Sequence, residues 1–269
     1  MSMQVQTRKK LTVRNIAKLK GKEKIVMITA YDALFANLFN DDADIILVGD
    51  SLNMSFLGKK DTLSATMDQM IYHTNAVCKG ASAPLIVFDM PFGSYNTKEQ
   101  ALENAVRVYQ ETCADAIKIE GGADRVEIIE HLCKNGIAVM SHIGLMPQFV
   151  RGEGGYAVRG KTQEDALKLY KDAKILEEAG AFALLLEGIK SDVAANITKD
   201  ANIPTIGIGA GVGCDGQVLV WSDMFGFFEE FKPKFVKKYI DGAKLIREAL
   251  QEYKKEVKEG KFPTDEFSY

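Results

Sequence analysis

The chain has 269 residues, 46% of them hydrophobic, and a formal net charge of -3 at pH 7, which suits one large α/β barrel or two ordinary domains with a sizeable core. Its basic residues do not gather on one face with interleaved aromatics, which argues against a nucleic-acid partner, and no stretch nears the roughly 20 apolar residues of a membrane span. In chain order the hydrophobic patterning predicts a strand near 25–30 and a helix near 32–40, then a strand near 44–49 and a helix near 66–79. It continues with strand 84–89 and helix 97–112, strand 116–120 and helix 123–134, strand 138–142 and helix 162–179, and strand 183–187 and helix 191–200. A strand near 205–209, a weaker eighth near 217–221 and a final helix near 234–257 complete the set.

Continuous Val/Ile/Leu runs, rather than alternation, mean strands covered on both faces, as in a parallel sheet. Seven or eight βα units without a composition break or a Pro/Gly/Ser linker favour a closed (β/α)8 TIM barrel over an open Rossmann sheet. The expectation is one domain over 1–269, ending in a C-terminal helix and a short aromatic tail. That helix carries Phe235, Tyr239, Ile240, Ala243, Ile246, Leu250, Tyr253 and Val257 close to a 3.6 period. The tail holds Phe262, Phe267 and Tyr269; docking on the barrel or on a neighbouring subunit, and fraying, both remain open.

Cys78, Cys113, Cys133 and Cys214 have no metal-site or redox-motif spacing. They read as structural filler in a reducing cytoplasm. The polar, basic segment Met1–Lys10 has no apolar h-region, so no secretory signal is expected. The sequons at Asn53 and Asn196 carry no meaning without secretion.

Five apolar runs end on polar groups of catalytic type: Asp50, Asp89, Glu120, the pair Ser141-His142, and Glu187. In a βα barrel the C-terminal edge of the strands is the active-site face. Carboxylates gathered there repel one another unless a cation or a shared proton offsets the charge. Asp50 and Asp89 are hard oxygen donors on separate strands and suit Mg²⁺, which takes one or two carboxylates and fills its octahedron with water and substrate. The plainer reading is that each aspartate caps the segment that follows. Lys118 and Glu120 lie two apart on one strand and therefore point to the same side, the barrel interior. They read either as a buried structural pair or as an anion-binding lysine and a further metal-shell carboxylate. His142 reads as a satisfied core histidine or as an active-site group. Glu187 emerges from Leu184-Leu185-Leu186, where desolvation raises its pKa and makes it a better base near neutral pH.

Two glycine-rich segments invite a nucleotide reading. Gly155-Tyr-Ala-Val-Arg-Gly160-Lys161-Thr162 matches the phosphate-loop pattern, but no buried strand leads into it, and Thr162 with Asp165 reads better as a helix capping box. Thr205-Ile-Gly-Ile-Gly-Ala-Gly-Val-Gly213 has no GxGxxG in register; backbone approach to a ligand and tight packing are both open.

Taken together, several stretches resemble the ketopantoate hydroxymethyltransferase family. They are Thr29-Ala-Tyr-Asp32, Leu47-Val-Gly-Asp-Ser-Leu52, Met70-Ile-Tyr-His-Thr74, Asp89-Met-Pro-Phe92, Lys118-Ile-Glu-Gly-Gly122, His142-Ile-Gly-Leu145, Gly154-Gly-Tyr156, Gly207-Ile-Gly-Ala-Gly211 and Asp215-Gly-Gln217, in family order over residues 11 to 231. The resemblance implies a (β/α)8 barrel, Mg²⁺, an α-keto acid substrate and 5,10-methylenetetrahydrofolate as one-carbon donor. It implies Asp50, Asp89 and Glu120 at the metal, with Asp50, Ser51, Asp89 and Lys118 binding the keto acid. Glu187 becomes the proton acceptor, His142 an active-site histidine and the assembly a homodecamer. Asn53, Met146, Gly188 and Ser222 depart from residues frequent in the family, which touches the pocket rim rather than the chemistry. A different Mg²⁺-dependent α-keto-acid barrel, of the isocitrate lyase or phosphonopyruvate type, lacks support because the Lys-Lys-Cys-Gly-His motif is absent. A non-catalytic metal-binding scaffold would not need the full set of polar groups.

Overall fold

The computed structural model describes residues 8–229 and 233–269; the segment read for a secretory signal lies, apart from residues 8–10, outside them. The chain forms two compact units, Met1–Val220 and Trp221–Tyr269. The first opens with α1 (Val13–Leu19) and then lays down β1 (Ile25–Thr29), α2 (Ala33–Phe39), β2 (Ile45–Val48), α3 (Leu52–Leu57), α4 (Met67–Gly80), β3 (Leu85–Asp89), α5 (Lys98–Glu111) and β4 (Ala116–Glu120). It continues with α6 (Val126–Lys134), β5 (Val139–Gly144), α7 (Gln163–Glu178), β6 (Ala183–Glu187), α8 (Ser191–Asp200), β7 (Thr205–Ile208) and β8 (Gly216–Leu219). The eight strands close in sequence order, every pairing parallel, with β8 returning to β1. This is the (β/α)8 barrel that the patterning predicts.

Strand periodicity places the site. Ile25 and Met27, Ile45 and Leu47, Leu85 and Val87, Ala116, Met140, and Ala183 and Leu185 belong to one buried cluster. Within each strand these residues alternate, so they line the barrel interior. Continuing by twos along β3, β4, β5 and β6 reaches Asp89, Lys118 and Glu120, His142 and Glu187. The same period that fills the N-terminal part of the barrel with aliphatic side chains therefore delivers charged groups at its C-terminal edge. Helix α1, absent from the sequence reading, is too short for a hydrophobic period. Its start is marked by a reciprocal capping box between Thr12 and Asn15, and it seats Ile16 in the cluster.

The capping expectation at Thr162 holds in part. Its side chain accepts from the Asp165 N–H and caps α7, but the Asp165 carboxylate turns to the Gly160 N–H instead of completing a box. Pro147–Phe149 upstream is a 3-10 turn, not a strand, so the segment lacks the strand lead-in of a phosphate loop.

The second unit holds α9 (Trp221–Met224) and α10 (Gly242–Lys258). The helix expected from residue 234 starts only at Gly242. Upstream, the Tyr239 N–H donates to Met224 O at 2.9 Å and the Gly242 N–H to Phe225 O at 2.8 Å, so this backbone bonds to α9 rather than to itself. In the tail, the Phe262 ring stands 5.6 Å from that of Tyr253 in α10 and 5.9 Å from that of Phe267, so Phe262 folds back on the helix while Tyr269 stays exposed.

One cysteine expectation is corrected. Cys78 in α4 and Cys113 after α5 form a disulfide, because the parallel β3–β4 pairing sets their helices side by side, a proximity that a separation of 35 residues does not disclose. Cys133 and Cys214 are free. Among the described residues no helix is long and apolar enough to cross a membrane.

Candidate active site

Strand register builds the site. Asp89 of β3 pairs with Lys118 of β4, and Glu120 of β4 pairs with His142 of β5. Lys118 donates to Asp89 Oδ1 at 2.6 Å and to Glu120 Oε1 at 3.5 Å. Asp50, just past β2, donates its backbone N–H to Asp89 Oδ2 at 3.2 Å. A Cβ added at Gly49 would stand 2.7 Å from Ser51 Oγ, so a side chain there would push the serine hydroxyl from its place. Asp50, Asp89, Lys118, Glu120 and His142 are all buried. Ser51 opens α3, and its Oγ lies 2.7 Å from Tyr31 Oη; burial pushes the Tyr31 phenol up to about 12.

His142 stands between two carboxylates, with Nδ1 3.6 Å from Glu120 Oε1 and Nε2 3.5 Å from Glu187 Oε2. Neither ring nitrogen has a closer hydrogen-bond partner. Glu187 is the register partner of Gly144, whose φ of +104° admits only glycine comfortably. A Cβ there would lie 2.2 Å from Glu187 O, the atom that accepts from the Leu145 N–H at 2.8 Å. The Glu187 side chain keeps 19% of its surface exposed, and burial, partly offset by His142, pushes its pKa up to about 7.

Charge in the cluster does not balance. Burial and the neighbouring Asp89 charge push Asp50 well above the usual carboxylate range. Burial also raises Asp89, although Lys118 opposes it. At Glu120 burial is outweighed by Lys118 and His142, and its pKa falls. Burial would strip Lys118 of its proton, but the charges of Asp89, Glu120 and Asp50 prevail and hold it cationic. Three carboxylates thus share one ammonium in a dry setting, and a divalent cation would offset the surplus.

Among the described residues no three His, Cys, Asp or Glu side chains converge closely enough to hold a metal ion, and Lys118 engages both Asp89 and Glu120. The donor set still fits a hard ion that needs only one or two carboxylates and completes its shell with water and substrate; Asp50 and Asp89 meet that requirement.

Three residues near these groups had no role in the sequence reading. Gln148, in the turn after β5, bonds to both Asp50 and Glu120, Tyr95 bonds to Gln148, and Tyr31 bonds to Ser51. Only Pro147-Gln148 directly after a strand hinted at the first. Asn53, a departure from the family pattern, is fully buried and donates to Thr62 O at 3.2 Å and Ser64 Oγ at 3.1 Å, tying down the loop before α4.

A family model described as ketopantoate hydroxymethyltransferase matches residues 10–265. Curated relatives include 3-methyl-2-oxobutanoate hydroxymethyltransferase of Aliarcobacter butzleri, 61% identical over 260 residues that cover 97% of each chain. The Helicobacter pylori protein of the same name is 55% identical over the full length of both chains. Among solved structures, phosphonopyruvate hydrolase complexed with oxalate and Mg²⁺ superposes with a TM-score of 0.62 at 11% identity, over 94% of this chain and 89% of that one. A 2,3-dimethylmalate lyase of the PEP mutase/isocitrate lyase superfamily gives 0.59 at 15% identity, over 96% and 92%. At such identities the likeness is one of fold. A family model over residues 10–265 and relatives 55% and 61% identical along nearly the whole length mean that this chain belongs to the ketopantoate hydroxymethyltransferase family.

Proposed function

We propose that the protein transfers a hydroxymethyl group from 5,10-methylenetetrahydrofolate to 3-methyl-2-oxobutanoate with the help of Mg²⁺, giving ketopantoate for pantothenate synthesis. The observation that carries this reading is Glu187, a carboxylate at the barrel mouth with a pKa near neutrality, linked through His142 to the acidic cluster. Asp50 and Asp89 would hold the ion, with Glu120 joining its shell through water. When bound, Mg²⁺ acts as a Lewis acid on the keto oxygen and lowers the pKa of the adjacent C3–H.

Lys118 neutralises the substrate carboxylate and Ser51 offers it a hydroxyl held by Tyr31. Glu187 takes the C3 proton, a role worth about 10²–10⁴ in rate for a well-placed general base. His142, bridging Glu120 and Glu187, keeps the base oriented and stabilises its charge. One water breaks the two C–N bonds of the donor's methylene bridge, releasing tetrahydrofolate and a one-carbon unit at the oxidation level of formaldehyde. The carbon freed of its proton attacks that unit, whose oxygen takes up a proton to become the product hydroxyl. The family resemblance further supports a homodecameric enzyme acting in the cytoplasm.

The test is deuterium exchange at C3 of 3-methyl-2-oxobutanoate in heavy water, followed by NMR with and without Mg²⁺. Mg²⁺-dependent washout that Glu187→Gln removes supports the reading. Normal exchange in that variant refutes the assignment of the base. If exchange is absent without the folate donor, the donor is added to the same sample; its continued absence refutes the substrate.

A further inference from the structure

We propose that Gln148 is a positioning residue for the carboxylates of the metal site and that Tyr95 anchors the far end of its amide. The proposal rests on the metal reading given above.

Gln148 is buried in the turn after β5. Its Nε2 donates to Asp50 Oδ2 and to Met90 O, each at 2.9 Å, and its backbone N–H donates to Glu120 Oε2 at 3.0 Å. One residue thus grips carboxylates from the ends of β2 and β4 and the chain leaving β3. The partners of Nε2 are a carboxylate, which is acceptor-only when ionised, and a backbone carbonyl, so the NH₂ end must face them. The opposite end, Oε1, accepts from the Tyr95 hydroxyl. Burial and the nearby Glu120 charge push the Tyr95 phenol well above its usual range, so it remains a donor.

A turned amide would aim Oε1 at the Asp50 carboxylate and at Met90 O and lose both of those bonds, whereas the Tyr95 hydroxyl, able to donate or accept, can bond to either end. The Arg125 guanidinium holds this arrangement in place, lying 5.7 Å from the Tyr95 ring and 5.8 Å from that of Phe149. The amide engages one oxygen of Asp50 and the backbone one oxygen of Glu120, so each carboxylate is held in rotation, and the second oxygen of Glu120 faces Lys118 and His142. Hydrogen-bond partners that orient metal ligands commonly contribute about 10–100-fold to metal affinity.

The experiment is a Mn²⁺ titration read by the electron paramagnetic resonance of the free ion, on full-length wild type, Gln148→Leu and Tyr95→Phe, with thermal melts alongside. Gln148→Leu is expected to weaken Mn²⁺ binding about 10–100-fold, and Tyr95→Phe to weaken it toward the lower end of that range. Should Gln148→Leu fail to fold, Tyr95→Phe, which removes a single hydroxyl, decides the matter. Wild-type Mn²⁺ affinity in the folded variants, with or without a lowered melting temperature, overturns the proposal. A wild-type protein that binds no Mn²⁺ overturns the metal reading itself, and the proposal with it.

Discussion

Lys118 is the register partner of Asp89 across β3 and β4, and its Nζ donates to Asp89 Oδ1 at 2.6 Å in the buried barrel mouth. This ammonium is shared with Glu120 and faces three carboxylates in all. Removing one member of a buried ion pair strands the other, which costs about 3–5 kcal/mol. Lys118→Met is expected to lose stability of that order at pH 8 in urea melts. The deficit should shrink toward pH 5, because the stranded carboxylates, Asp50 first, can take up a proton. A deficit independent of pH would mean that Lys118 contributes packing alone.

Glu187 supplies a pH dependence with a definite sign. Its pKa rises from 4.5 unfolded to about 7 folded, so the fold favours the protonated acid. The associated stability is fully present below pH 4.5 and lost as pH climbs through 7, up to about 3 kcal/mol. Catalysis runs the other way, since the base must be ionised. Exchange at C3 should fall about tenfold per pH unit below 7, while Glu187→Gln should be more stable than wild type at pH 8 and no different near pH 4. Equal stabilities at pH 8 would place the carboxylate in a better-solvated setting.

His142 tunes that base. Its position lowers the Glu187 pKa against the effect of burial, with Nε2 3.5 Å from Oε2. His142→Leu should therefore shift the acid limb of the exchange profile to higher pH, beyond any loss of rate. An unmoved limb with a lower plateau would restrict His142 to orientation.

The barrel was legible in the sequence because continuous aliphatic strands and the polar residues that end them obey one period. Asp89, Lys118, Glu120, His142 and Glu187 continue the inward-facing set that begins with residues such as Leu85 and Ala116, so a two-residue count finds them. Gln148 and Tyr95 lie in turns, which have no period, and their bonds span 53 residues. The same limit hid the Cys78–Cys113 pairing and the late start of α10, where backbone bonds to Met224 and Phe225 displace helical ones. Long-range pairing is a property of the closed barrel, and local patterning does not carry it.

Gly144 tests how tightly the backbone holds the base. With φ at +104° and a prospective Cβ 2.2 Å from Glu187 O, Gly144→Ala must both strain its own backbone and push β6 away. Strained backbone of this kind costs about 1–3 kcal/mol, and the displaced Glu187 would lose alignment with His142. The variant should melt earlier and show a C3 exchange rate reduced by more than its folded fraction explains. Exchange that tracks the folded fraction would mean that the β5–β6 contact serves stability only.

The surplus negative charge makes a last prediction. Because burial and Asp89 raise the pKa of Asp50, protons compete with a divalent ion there, so affinity should rise with pH. A ligand that binds only the folded state stabilises it by about 2.7 kcal/mol at a hundred times its Kd. Protein stripped with EDTA is therefore expected to gain melting temperature on addition of Mg²⁺, more at pH 8 than at pH 6. Asp50→Asn should largely abolish the gain, having removed both the charge and the exchangeable proton. Since Asp50→Asn also relieves the repulsion, the metal-free variant should melt above metal-free wild type at pH 8. A variant that is less stable without metal would mean that the cluster is held by hydrogen bonds to Asp50 more than it is strained by its charge.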